Sequence, residues 1–533
     1  MKMQNNVTRS IGLLTLLVTV LSGCTKNFES YNTDPTGIPN DKVQVSTLLI
    51  PMEQEIMYMT DDGYQIAQNL NADDYCGYAM PDQTFGRALD NANYVFIDGW
   101  NSEAFNSIYT NLIGPIKNKV AISGVQKDNP DYWAIFLIVE VEAIDRVTDK
   151  FGPVPYSKVG SSLVSVPYDS QQQIYTEMFA QLDTATANLA AYIAANPGST
   201  PLANYDALYG GDYTKWLKLA NSLRLRLAMH LTKIDAATAQ AQAETALNAT
   251  GGLMSDPSDD ANILASQANG NDYNQITNSY GDNSMNATIG AYMNGYSDPR
   301  LPIYFSPDTD PGHTAEFTGI RIGCTIPPKP YYSGFSKYNF TSTFTLTAPE
   351  TIMTAAEVWF LKAEAALRGW QNAGDPQTDY VTGITTSMAQ WGVSSTAAQA
   401  YAGDAVSTPA NYVDYLNSAN NINALSQITI AWDPNATNEQ KLERIITQKW
   451  LAMFPEGQEA WTEFRRTGYP ALFPVVVNSS GGTIDTKIQV RRLAYPSGEA
   501  TLNPEALAAG IKLLGGPDNG GTRLWWDVAS GNF

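Results

Sequence analysis

TAAEVWFLKAEAALRG, residues 354–369, decides the fold class. Ala356, Phe360, Ala363 and Leu367 recur every three or four residues and so share one face of a 3.6-residue helix. Thr354 and Glu357 have the spacing of a capping box, which satisfies the first free backbone N–H groups. Glu364 and Arg368 stand four apart, close enough for an ion pair, and Gly369 can end the helix. Every local preference points the same way, so the reading spreads outward from here.

Tyr213–Leu231 carries Trp216, Ala220, Leu223 and Leu227 on one face and Lys215, Lys218, Ser222 and Arg226 elsewhere. Ile174–Leu189 repeats the pattern through Tyr175, Met178 and Leu182, with Asp169 and Gln172 placed for its cap. Tyr132–Val147 is apolar almost all round and belongs inside a helix layer. Leu442, Ile445, Ile446, Trp450 and Met453 mark a further helix, followed by a short one through Trp461 and Phe464. Between them run irregular stretches, 61–98, 249–348 and 475–533, rich in Gly, Pro, Asn, Asp and Tyr. Loops of that length in a folded chain usually carry function. The fold expected is mostly α: helical hairpins stacked into a superhelix, with a loop-rich, mixed second part. No strict 34-residue period is visible, so any tetratricopeptide character is degenerate.

The N-terminus speaks to location. Lys2 and Arg9 precede an apolar run from Ile11 to Leu21, which suits a signal peptide and is too short to span a bilayer. It ends in Leu21-Ser22-Gly23-Cys24, which resembles a bacterial lipobox at all four positions. Cys24 is therefore the expected lipidation site, with 1–23 a leader, 24–40 a polar tether and 41–533 the folded domain. Losing Lys2 and Arg9 would take the net charge from −21 to −23. Cys76 and Cys324 are too few for a disulfide framework and read as two small buried residues.

Composition excludes nucleic acid, because phosphate binding needs basic stripes that this acidic chain lacks. Charged residues are sparse at 16%, whereas Tyr (29) and Trp (11) are plentiful. His230 lies near the apolar face of its helix and reads as a packed residue. His313 follows Asp310-Pro311-Gly312 in a turn and reads as solvated. No zinc-type His pair, G-x-S-x-G or Walker loop is present, and neither a cofactor nor a metal is expected. Asp256–Asp260 and Asp308–Asp310 lack the ligand spacing of an EF-hand. Among 53 acidic residues, carboxylate pairs suited to glycoside hydrolysis arise by chance.

Aromatic residues in the irregular stretches are the more telling group. Tyr75, Tyr78, Phe85 and Tyr94 in the first, and Tyr273, Tyr280 and Tyr296 in the second, are candidate ligand contacts. Rings with polar tips suit sugar or peptide. Plugging the loops onto the scaffold is the alternative for each. Trp100 and Tyr109 are assigned to packing.

Ordered motifs then span the chain. They begin with Asp149-Lys150-Phe151-Gly152-Pro153-Val154-Pro155-Tyr156, Tyr209-Gly210-Gly211-Asp212 and Asp298-Pro299-Arg300-Leu301. Glu357 to Ala365 follows, then Gln448-Lys449-Trp450, Gly457 to Trp461, Arg465 to Pro470, Arg491-Arg492 and Trp525-Trp526-Asp527. Together they resemble the SusD/RagB family, in its SusD-like 2 branch. The resemblance implies degenerate tetratricopeptide-type hairpins and a cell-surface lipoprotein of the outer membrane. It also implies a nutrient-capturing lid on a TonB-dependent transporter of the SusC type, with oligosaccharide or peptide as cargo. It transfers no ligand residues, and Arg465-Arg466 reads as structural, fixing the Glu459–Glu463 helix and nearby carbonyls. The family's acidic export stretch is reduced here to Glu29. An outer-membrane glycan hydrolase and a purely structural lipoprotein are the competing classes.

Overall fold

The computed structural model describes residues 44–59, 63–87, 89–161, 165–266 and 269–533. The leader, Cys24 and the 24–40 tether lie outside them. The principal helices are α1 (Leu49–Ile56), α2 (Asp98–Ile108), α3 (Pro130–Phe151), α4 (Gln171–Ala195), α5 (Tyr213–His230), α6 (Ala236–Leu247), α7 (Ala287–Gly295), α8 (Ala355–Leu367), α9 (Pro376–Gln390), α10 (Asn438–Met453), α11 (Gly457–Thr467) and α12 (Pro504–Leu514). Successive helices pack as hairpins: α3 on α4, α4 on α5, α5 on α6, and α8 on α9 and α10. Among the described residues no helix is long and apolar enough to cross a membrane.

The 354–369 segment forms α8, with Thr354 Oγ1 accepting the Glu357 N–H at 3.1 Å. The Glu357 carboxylate turns instead to Arg226, whose Nε and Nη2 donate at 2.8 and 2.7 Å. Tertiary charge has outbid the local cap. A second correction concerns α4. Ser170 and Gln173 form its capping box, one residue beyond the expected pair. Asp169 accepts from the Ser157 backbone and hydroxyl, an interaction between segments that helix spacing cannot reveal.

Helix α3 is buried along almost its whole length, as its apolar composition requires, yet Glu140, Glu142, Asp145, Arg146, Asp149 and Lys150 go inside with it. Burying such groups is tolerable only in pairs. Arg146 reaches Glu456 at 2.7 Å, Lys449 lies 3.3 Å from Glu459, and Arg466 meets Glu364 and Glu463 at 2.6 and 2.7 Å. The network joins α3, α5, α8, α10 and α11.

Among the described residues there are also eight short strands: β1 (Ala79–Pro81), β2 (Val154–Pro155), β3 (Tyr168–Asp169), β4 (Ala261–Ile263), β5 (Asn283–Met285), β6 (Phe305–Ser306), β7 (Lys337–Tyr338) and β8 (Glu350–Met353). They pair antiparallel as β1–β5, β2–β3, β4–β8 and β6–β7. The first pair clips the irregular stretch 61–98 to the stretch 249–348, with Met80 opposite Ser284. The loop-rich part is therefore held by two-stranded clips rather than by a sheet.

Candidate functional site

The structure separates the seven candidate aromatics. Tyr75, Tyr78, Tyr94, Tyr273 and Tyr296 are buried, which removes them as ligand contacts in this conformation. The reason is aromatic packing against the helices. Tyr78 stacks on Trp450 with centroids 5.4 Å apart and donates its hydroxyl hydrogen to the Trp450 carbonyl. Tyr75 leans on Trp461 and Tyr94, and Tyr273 meets Tyr64 edge-on at 5.0 Å. Tyr296 donates to the Ile428 carbonyl at 3.0 Å. These rings pin the loops down.

Phe85 and Tyr280 reach solvent, and β1–β5 pairing brings their turns together. Gln83 Nε2 donates to Asp282, and Lys329 donates to Asp282 and to the Gly281 carbonyl at 2.7 and 2.9 Å. Tyr280 is 37% exposed, and Tyr331, two residues after Lys329, is 38% exposed. Phe85 rests edge-on against Trp100 at 5.5 Å. Its φ of +49° puts a bulky side chain in left-handed backbone, a strain of about 1–3 kcal/mol that clusters at functional sites.

The residue before Phe85, Thr84, lines a pocket of about 290 Å³ together with Arg87, Leu89, Asp90, Ile326, Pro328 and Val477 among others. Leu89 and Val477 are exposed apolar side chains, while Arg87, Thr84 and Asp90 offer hydrogen bonds. Apolar surface with a few convergent polar groups is what a sugar or peptide needs. Asp90 is its one lining carboxylate, and Asp90 Oδ1 already accepts the Ala92 N–H. Paired-carboxylate hydrolysis has no second group there. Arg87, Leu89 and Ile326 carried no sequence signal. They are single residues in loops, assembled only by the strand clips.

The remaining titratable candidates serve the scaffold. Arg465 donates to the Asp149 and Arg491 carbonyls at 2.5 and 3.0 Å and lies over Trp461, while Arg466 holds Glu463 and Glu364. The partner expected for this pair in Glu459 goes instead to His230 and Lys449. His230 is buried as expected, and it is also charged. Burial alone would lower its pKa, but Glu459, Asp149 and Asp145 raise it to about 9. Asp145, Asp149 and His230, or His230, Glu459 and Glu463, could geometrically hold a metal ion. Lys449 and Arg466 already offset Glu459 and Glu463, and His230 itself faces Asp145 and Asp149 at 3.9 and 3.5 Å, so the chain supplies its own cations here. His313 is half-buried rather than solvated, stacked on Tyr415 at 3.7 Å and paired to Glu316. Cys76 and Cys324 are buried free thiols.

A helical scaffold that presents a loop-built, half-apolar groove with one capped carboxylate is a binding protein. Residues 26–527 match the family model described as SusD-like, the SusD and RagB outer membrane lipoproteins, and the chain belongs to that family. It is similar to a chitin-binding SusD homologue from Flavobacterium johnsoniae, at 40% identity over 92% of this chain and all of that one, with a TM-score of 0.87. SusD homologues from Bacteroides vulgatus (36% identity, 92% and 98% covered, TM-score 0.85) and Bacteroides uniformis (34%, 91% and 99%, 0.84) share the fold. No individually curated protein sequence matches the chain. Family membership makes it an outer-membrane lipoprotein of nutrient uptake, a binding protein and not an enzyme.

Proposed function

We propose that the chain captures an oligosaccharide at the groove beside Phe85, Tyr280 and Tyr331 and delivers it to a SusC-like TonB-dependent transporter. A lipid on Cys24 anchors it to the outer membrane with the groove facing the exterior. The observation that supports this reading is a pocket of mixed polarity whose lining runs through Thr84 and Pro328, in the same turns that carry strained Phe85 and exposed Tyr331. The Flavobacterium relative binds chitin, so chito-oligosaccharides are the first probes, followed by other glycans and by peptides.

Calorimetric titration tests it. Phe85→Ala, Tyr280→Ala or Tyr331→Ala should weaken binding by about 10- to 30-fold, the loss of one hot-spot aromatic, with Tm nearly unchanged. Unchanged affinity in all three variants would place the ligand elsewhere. Tight peptide binding without glycan binding would transfer the same groove to peptide capture.

A further inference from the structure

Ala287, Gly290, Ala291 and Asn294 share one face of α7 and form the floor of a slot of about 350 Å³. Its walls are two non-helical segments, 315–319 and 410–413, and it shares no lining residue with the groove. Each wall has already used one of its backbone edges. The Tyr412 N–H donates to the Ile422 carbonyl at 2.9 Å, and the Tyr412 carbonyl accepts from the Ile422 N–H at 3.2 Å. In the other wall the Glu316 and Thr318 carbonyls accept from the Asp308 and Ser336 N–H groups at 2.9 and 3.0 Å. Successive residues of an extended chain direct their backbone groups to opposite sides. The groups of Asn411, Val413 and Phe317 therefore point away from these partners, toward the slot. Phe317 gives its carbonyl to Asn294 Nδ2 at 2.9 Å. Its N–H, and both backbone groups of Asn411 and Val413, have no hydrogen-bond partner among the described residues. Asn411 and Val413 are exposed, Val413 by 60%, so this edge is open.

We propose that this slot docks an extended loop segment of a partner protein, which adds a strand between the two walls and carries a Lys or Arg beside Glu316. A strand repeats N–H and C=O on one edge every second residue, the spacing of the unused groups at Asn411 and Val413. Glu316 is the one charged residue lining the slot. Its side chain is 56% exposed, and one of its oxygens is engaged, by His313 Nδ1 at 2.9 Å. Charge complementarity therefore selects a basic segment. No Lys or Arg lines the slot to hold a terminal carboxylate, so an internal segment fits it better than a free peptide. Val406, Val413, Leu416 and Leu425, in the segment that builds one wall and its Ile422 pairing, are exposed apolar side chains. Such surface is covered by a protein rather than by a small ligand. This docking site does not depend on the groove assignment.

Calorimetric titration of the purified protein tests the proposal with pentapeptides acetylated and amidated at their ends, which imitate an internal segment. The probes are Val-Lys-Ala-Lys-Val, its counterpart with Glu for Lys, and the Lys peptide N-methylated at the central Ala. The Lys peptide should bind. N-methylation and Val413→Pro should each weaken it about three- to tenfold, the effect of one main-chain hydrogen bond. Tyr412 is extended, as the residue before a proline must be, and the Val413 N–H has no partner to lose, so Val413→Pro should keep its Tm. Glu316→Lys should reverse the order of the Lys and Glu peptides. Hydrogen exchange should slow at 315–319 and 411–413 when the Lys peptide is added, and Phe85→Ala should leave its affinity unchanged. Absence of binding by the Lys peptide, binding unmoved by both N-methylation and Val413→Pro, or slowed exchange confined to other segments would overturn the proposal. Two further results would overturn the partner-loop assignment. Tighter binding of the same peptides with free ends would make the slot a free-peptide site, and self-association abolished by Val413→Pro would give it to a second copy of this chain.

Discussion

Glu364 shows what a single residue contributes. Burial pushes its carboxyl up, but Arg466 and Arg368 hold its pKa to about 2. Folding therefore gains from its charge above pH about 4.5, and that gain is lost as pH falls through about 2. Glu364→Gln leaves two buried guanidinium groups short of charge and should cost about 3–5 kcal/mol in denaturant unfolding. His230 works in the opposite direction. Its folded pKa of about 9 lies above the ordinary 6.5, so its contribution is complete below pH about 6.5 and vanishes as pH rises through about 9. Asp145, Asp149, Glu459, Lys449 and Arg465 surround it. Burial also shifts the Asp145 and Asp149 carboxyls upward, so their own contribution falls as pH rises from the ordinary carboxylate range. Stability measured from pH 6.5 to 9 should fall by on the order of 3 kcal/mol, and His230→Gln should flatten that slope. The histidine's burial was legible from its helical face. Its charge was not, because the three carboxylates that set it come from α3 and α11.

Among the elements, α8 was readable almost in full, since periodicity, cap and C-terminal glycine all lie within sixteen consecutive residues. Its partner α9 crosses it closely. A Cβ on Gly383 would sit 2.9 Å from the Phe360 ring, so the two helices meet where one has no side chain. Gly383→Val should overpack this crossing and cost about 1–3 kcal/mol by denaturant titration, whereas Thr382→Val on the same helix should be nearly neutral. The α4 cap was misplaced by one residue because Asp169, Ser170, Gln172 and Gln173 offer two plausible pairs, and only the tie from Asp169 to Ser157 chooses between them. The loop aromatics divide between packing and solvent for a related reason. Tyr78 and Tyr280 sit in similar polar, glycine-bearing sequence, yet one stacks on Trp450 and the other faces solvent. Sequence spacing in a loop carries no period from which a face can be read.

At the scale of the whole molecule, family membership explains why the ordered motifs are structural. Asp149 accepts the Trp526 indole N–H at 2.8 Å, and Asp298 grips Arg300 through both oxygens. The motifs hold the scaffold together, while the groove is built from residues outside them. Anchoring is tested by Cys24→Ala, which should release the protein from membranes, since stable attachment needs two or more acyl chains at about 0.8 kcal/mol per buried CH₂. Membrane sedimentation that survives a salt wash would contradict the lipobox reading. Delivery is the central claim, and it needs a partner able to pass the cargo through the outer membrane. A lasting lid on a barrel mouth should bury more than about 2,000 Å², the range of permanent complexes. The direct measurement is gentle detergent extraction from outer membranes, affinity capture of this chain and mass spectrometry of what comes with it. The account predicts a TonB-dependent β-barrel in near-equal amount; recovery of this chain alone, under conditions that keep other outer-membrane complexes intact, would contradict it.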